Sequence, residues 1–343
     1  MVSPDCLQHI FYENEIPPEI ECCIERIYQS PFCVTKYFEI FRDIRSLNAL
    51  VISCGESDPL HVIAYVISGK EITVLNELVE IEQEYVQYFA DTVFSRYPTI
   101  TTVNFNCLKG RIAFLHYPWR RWKSSHDIAI DLPGSFDEYH SKLGKQTQKH
   151  IRYYLNRLHR VYDDVEFHVA TTKEIDPSII GRVIEMNRLR MKGKNIRSGF
   201  DKSFETRIIE FSRHYGLVST VSIQGMIVAG AICYELGNQA YLEAISHDPE
   251  YDRYNMGQVC LYLTIKHMIE NGRISFHMLW GENEYKYRFL GEKQDLYFFS
   301  IYRTKIAKLL SIPTVAKHFS TNILEQLRYL TRKYIIGQFR QKR

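Results

Sequence analysis

The sequence predicts an α/β (α+β) chain of two related lobes, each a mostly antiparallel mixed sheet flanked by helices. Three observations carry this. Each half holds three strand-like runs separated by turn residues. In each half a helical pattern and a further strand follow those runs. A strongly basic helical stretch joins the halves. With 343 residues, the chain has room for two domains of ~100–200 residues each.

The elements follow in order. In the first half, "LNALVIS" (47–53), "LHVIAYVIS" (60–68) and "KEITVLNE" (70–77) read as strands. A helix spans about 82–97, then "TTVNFNCL" (101–108) and "HDIAIDL" (126–132) are strands. In the second half, "DVEFHVAT" (164–171) is a strand, followed by helices from Pro177 to about Met191 and from Lys202 to about His214. "LVSTVSI" turns at Gln224-Gly225 into "MIVAGAICYEL", which turns at Gly237-Asn238 into "QAYLEAIS". Met256 to about Asn271 is apolar nearly all round, hence a buried helix. "ISFHMLW" (274–280), a short helix at 283–290 and "LYFFSIYR" (296–303) complete the series. The expected division is a lobe at 1–135, a basic connecting helix at 136–163, a second lobe at 164–303 and a basic helical tail at 304–343.

Composition excludes several classes. Hydrophobic content of 45% and charged content of 24% are those of a globular protein. No apolar run reaches the ~18 residues of a membrane span, and the polar, acid-bearing start does not read as a signal peptide. The eight Cys form no CxxC and sit among apolar, strand-like neighbours, so they read as buried reduced thiols in a cytoplasmic protein. No Cys/His cluster has ligand spacing, so no metal is expected. GxSxG, GxxxxGK[ST] and GxGxxG are absent.

The stretch around "YNMGQVCLYLTIKHMIENG" and "FHMLWGENEYKYRFLG" resembles the GNAT superfamily of acyltransferases, so the lobes are expected to be GNAT-like. Gly144-Lys145, Gly257, Gly281, Tyr285-Lys286 and Phe289 are similar to the tandem-lobe branch associated with bacterial cellulose and exopolysaccharide synthesis. The double-lobe layout is also similar to that of the Fem-type aminoacyl transferases. The resemblance covers about 136–303; the first lobe matches only in element order. It implies acetyl-CoA or another acyl-CoA as cosubstrate and a small-molecule or sugar acceptor.

A pyrophosphate wants free amides at a helix start. Arg253, Asn255, Met256, Gly257 and Gln258 lead into the 256–271 helix, and Gly257 permits close approach to the backbone. The usual GNAT loop has a second small residue that this chain lacks. The first-lobe counterpart, "ELVEIEQEY" (77–85), has no Gly and carries Glu77, Glu80, Glu82 and Glu84. Donor binding is therefore expected in the second lobe alone. Amine acylation needs a base for the incoming ammonium and a proton for the leaving thiolate. Glu243 lies inside an apolar strand, where Tyr241, Glu243 and Ile245 would share one face. Burial would raise its pKa and suit it as base. Glu235 and His247 are further candidate bases. The resemblance implies Tyr285 as the acid and Asn283 as a pantetheine contact. Tyr241, Trp280, Lys286 and Arg288 are candidate acceptor contacts. For each residue an ordinary core or surface role stays open.

"KLGKQTQKHIRYYLNRLHR" (142–160) holds six Lys/Arg and no acid. Ile151, Leu155, Leu158 and Tyr162 form one apolar stripe, so this helix docks on the protein. Its basic face suits solvent, a phosphorylated ligand or RNA. The tail carries nine Lys/Arg against Glu325 alone, with Ile323, Leu324, Leu327, Leu330, Tyr334 and Ile335 among them. Such a helix can lie on an anionic inner membrane face or cover the mildly acidic body. The expected function is acyl-CoA-dependent N-acylation of an amino sugar or other cell-surface polysaccharide precursor. The alternatives are aminoacyl transfer from an aminoacyl-tRNA and a non-catalytic scaffold for polysaccharide synthesis.

Overall fold

The computed structural model describes residues 6–311 except 45, 56, 57 and 111. The expected tail lies outside the described residues from 312 onward. The first half runs β1 (Leu7–Tyr12), α1 (Pro18–Tyr28), α2 (Thr35–Arg42), β2 (Asn48–Cys54), β3 (His61–Ser68), β4 (Glu71–Val74), α3 (Gln83–Arg96), β5 (Thr102–Leu108) and β6 (Trp119–Asp131). Two helices follow, α4 (Phe136–Lys142) and α5 (Lys145–Val161). The second half repeats the pattern: β7 (Val165–Thr171), α6 (Pro177–Gly193), α7 (Lys202–Tyr215), β8 (Gly216–Ile223), β9 (Met226–Leu236), β10 (Gln239–His247), α8 (Met256–Glu270), β11 (Ser275–His277), α9 (Glu284–Arg288) and β12 (Glu292–Tyr302). A short α10 (Lys305–Leu310) follows. β1 was not expected, and the repeat is therefore longer than the sequence suggests.

Local chemistry explains the meanders. Gln224 and Gly225 take φ of 52° and 75°, the backbone that a two-residue hairpin turn requires. Asp176 and Asp201 cap α6 and α7 by accepting from Ser178 N and Phe204 N at 2.8 Å each. α5 turns Ile151 and Leu158 inward against the core that also buries α8. Lys145, Lys149, Arg152 and Arg160 have no carboxylate partner among the described residues.

All twelve strands form one sheet in the order β1-β2-β3-β4-β5-β12-β6-β11-β10-β9-β8-β7. The strand pairing crosses the expected division at 135/136. β6, from the first half, pairs with β11, while β12, from the second, pairs with β5. The two halves thus exchange their last strands. Side-chain alternation gives the reason: Ile128 and Ile130 of β6 enter the core around α8, and Phe299 and Ile301 of β12 enter the core around α3. The cysteine expectation is corrected. Cys6 and Cys54 pair as a disulfide linking β1 to β2, and Cys22 is exposed. Cys33 and Cys260 are buried, and burial pushes both thiols up to about 12, which leaves them inert.

A charged network lies at the exchange. Asp127 Oδ2 sits 2.5 Å from His277 Nδ1 and 3.4 Å from Lys109 Nζ, all three largely buried. Burial works to raise the Asp127 carboxyl, but His277 and Lys109 outweigh it and hold it below the usual carboxylate range. Its stabilising contribution is present above about pH 4 and is lost as pH falls through the folded value. Replacing Asp127 by Ala leaves a buried cation and imidazole without their anion. Urea denaturation at neutral pH should show a loss of about 3–5 kcal/mol.

Candidate active site

The site begins where a parallel ladder ends. β10 and β11 pair at Gln239/Ser275, Ala240/Phe276 and Tyr241/His277, and no further. The strand expected at 274–280 therefore stops at His277. Beyond it the two chains separate and a cleft opens between 242–247 and 278–285. The first half closes the corresponding place. There, past the β4/β5 ladder, Leu78 N donates to Cys107 O (2.9 Å) and Lys109 N to Val79 O (2.8 Å), with a parallel bridge between Glu80 and Lys109.

Separation leaves Met278 O and Trp280 O without ladder partners, and Lys286 supplies donors to them and to Leu279 O, which also accepts from Ile128 N (3.3 Å). The Lys286 ammonium donates to Met278 O (2.6 Å), Leu279 O (3.0 Å) and Trp280 O (2.7 Å). The side chain is buried, and burial draws its pKa down to about 8. This corrects the expectation that Lys286 binds an acceptor.

On the opposite wall the β9/β10 register slips between Leu242 and Ala244, so Glu243 is the extra residue of a bulge. The bulge breaks the simple alternation expected of Tyr241, Glu243 and Ile245. Leu242, Glu243, Ala244 and Ile245 all line one recess, together with Asn187, Phe200, Trp280, Asn283 and Tyr285. Tyr241 points away: it is 1% exposed, stacks on His277 at 4.4 Å and donates to Gln29 O at 3.1 Å. Its expected acceptor contact is thereby corrected. Burial lifts the Glu243 carboxyl to about 7. Among the described residues no cation pairs with it.

A second recess adjoins the first. Arg190, Ile245, His247, Asn255, Gly257, Gln258 and Tyr285 line it. Ile245 and Tyr285 are common to both, so the phenol stands at their junction. Burial raises its pKa, and the Arg190 guanidinium draws it partway back. Asn255 takes φ of 50° and opens α8; Gln258 N and Val259 N bond back to Asn255 O. No such acceptor serves the amides of Met256 and Gly257 among the described residues. A Cβ at Gly257 would lie 3.0 Å from His247 Nδ1, so a larger residue there would press on the imidazole. Arg190 has no carboxylate partner among the described residues, and no acid lines this recess.

Other expected residues fall elsewhere. Glu235 is paired with Arg273 at 2.7 Å and lies outside both recesses. Arg288 pairs with Glu284 at 2.6 Å on the surface. Arg253 does not line the recess; its guanidinium lies 4.8 Å over the Tyr254 ring. The Met256 side chain is fully buried, leaving only its backbone to the site. His247 lines the recess but is no free base: Nε2 is 2.7 Å from Asp252 Oδ1, and Nδ1 is buried against Gly257. Sequence reasoning missed Arg190, Asn187 and Phe200. Arg190 stands among five neighbouring Lys/Arg at 188–197, and only the packing of α6 beside β10 singles it out. Among the described residues no three His, Cys, Asp or Glu gather as metal ligands. No helix there is long and apolar enough to cross a membrane.

The sheet thus splits beside a bulge, with a helix N-terminus at the mouth of the cleft. Residues 145–287 match the family described as "Acetyltransferase (GNAT) domain". No curated protein matches the chain. Among solved structures, FemX is similar with a TM-score of 0.62 at 9% identity, over 87% of this chain and 99% of that one. A conserved protein of unknown function from Bacteroides thetaiotaomicron gives 0.53 at 12%, over 86% and 100%. L-PGS from Bacillus licheniformis gives 0.50 at 12%, over 76% and 85%. At these identities the likeness is one of fold.

Proposed function

We propose that this chain is an acyl-CoA-dependent N-acyltransferase, transferring acetyl or a similar group to an amino sugar or other cell-surface polysaccharide precursor. One observation carries the proposal: the two recesses have opposite chemistry and share Tyr285. The recess at the start of α8 offers an unpaired guanidinium, two open amides and no acid, which suits a diphosphate. The recess beside the β10 bulge offers an unpaired carboxyl near 7, which suits an ammonium. Arg190 offsets the missing second small residue of the usual loop. An acyl-CoA would supply a thioester carbonyl and a thiol leaving group.

Within this reading, Glu243 takes the proton of the incoming ammonium. The freed amine attacks the carbonyl carbon, the carbon–sulfur bond breaks as Tyr285 protonates the departing sulfur, and the nitrogen gives up its second proton to the Tyr285 phenolate. A cytoplasmic setting, with the basic tail on the inner membrane face, is part of the proposal. Thermal shift tests it: acetyl-CoA at about 100 times its Kd should add about 2.7 kcal/mol to the folded state, and Arg190→Glu should abolish the shift. No shift with wild-type protein rejects the donor assignment.

A second reading is aminoacyl transfer from an aminoacyl-tRNA. It is favoured by the unpaired basic face of α5 and by the fold shared with FemX. Salt-sensitive tRNA retention without an acetyl-CoA shift would select it. A chain that binds neither would be left with the scaffold role.

A further inference from the structure

The acceptor recess ends in an aromatic lip. Trp280 is 55% exposed, a large apolar surface to leave in water. Yet its position is fixed. Its carbonyl is held by Lys286 at 2.7 Å, and its ring leans on Phe32 at 6.3 Å. Phe32, from the first half, is 2% exposed and packs edge-on against Tyr241 (5.7 Å) and Tyr37 (5.1 Å). The first half therefore braces a wall of the second half's site.

The other lining residues restrict what can lie on that ring. Among the described residues, Glu243 and Lys286 are the only charged side chains of this recess. The Lys286 ammonium is already occupied by three carbonyls, so no cation here is free to meet an anionic acceptor. Asn187 and Asn283 bring amides that can both donate and accept.

We infer that Trp280 is a stacking platform for the ring of an uncharged-bodied amino sugar, whose amine reaches Glu243 and whose hydroxyls meet Asn187 and Asn283. A pyranose has a C–H face for the indole, a hydroxyl edge for amides and, here, one basic nitrogen. A linear diamine would leave the indole wet. A sugar phosphate would bring its anion beside Glu243. The inference rests on the acyl-transfer reading above, and Trp280 is a positioning residue within it.

The test uses the full chain with acetyl-CoA and three acceptors: glucosamine, 1,4-diaminobutane and glucosamine 6-phosphate. Trp280→Ala should raise KM for glucosamine about tenfold with kcat little changed. Trp280→Phe should restore most of that loss. KM for diaminobutane should not move, and glucosamine 6-phosphate should be the poorer sugar for the wild type. Glucosamine binding by calorimetry reads the same contact without turnover. An equal loss for both amines, an unchanged KM, or no saturable glucosamine binding overturns the inference. The acetyl-CoA thermal shift, measured on the same variants, shows separately whether the donor assignment stands.

Discussion

Replacing Glu243 by Gln should lower kcat by about 10²–10⁴-fold and at the same time stabilise the protein above neutral pH. Both effects have one cause. The carboxyl stands on a bulge with no cation beside it, and burial lifts it from 4.5 to about 7. As base it must be ionised, so kcat/KM should rise with pH through about 7 and then level off. The Gln variant should lose that limb. The sign for stability runs the other way. A raised folded pKa means that the folded carboxyl holds its proton more tightly than the unfolded one. That contribution is present below about pH 4.5 and is lost as pH rises through 7. Above pH 7 the wild type carries a poorly solvated charge worth about 3 kcal/mol. The amide avoids it, so the variant should melt higher at pH 8, the gap closing toward pH 4. A variant that is inactive but no more stable would mean that Glu243 is better solvated than its surroundings imply.

Replacing Lys286 by Met should cost about 3 kcal/mol or more, since Met278 O and Trp280 O would lose their donor and Leu279 O would keep only Ile128 N. It should also abolish activity without touching an acceptor group. Met matches the length of the side chain but cannot bond Met278 O, Leu279 O or Trp280 O. Those peptides hold the cleft open beside β10. Hydrogen exchange should report faster exchange at 278–282 while β8 and β9 stay protected. A folded, fully active Lys286→Met enzyme would mean that the ammonium is incidental to the opening.

Much of this fold was legible in the sequence, for definable reasons. The hairpins at Gln224-Gly225 and Gly237-Asn238 were visible because turn residues interrupt runs of alternating apolar ones. α8 was visible because it is apolar on every side. β1 was not: it is an edge strand whose middle residues are exposed, so its pattern carries no burial signal. The strand exchange was also hidden. β6 and β12 alternate as any strand does, and nothing local says which core receives Ile128 or Phe299.

In the site, Gly257, Gln258, Tyr285 and Glu243 stood out in the sequence because a glycine at a helix start and an acid inside an apolar strand are unusual, and all four line the recesses. Lys286 was misread because lysine is ordinarily outside. Its burial depends on three carbonyls gathered where a ladder ends, which only the pairing reveals. Arg190 was missed because its neighbours are equally basic.

The traded strands bear on how the molecule is made. The amino-terminal half cannot complete its sheet from its own residues, because the strand that covers β5 is encoded at 292–302. Until residues 292–302 have left the ribosome, that hydrogen-bonding edge stands bare. Prematurely ended chains would then be sticky intermediates that depend on chaperones, not small independent domains.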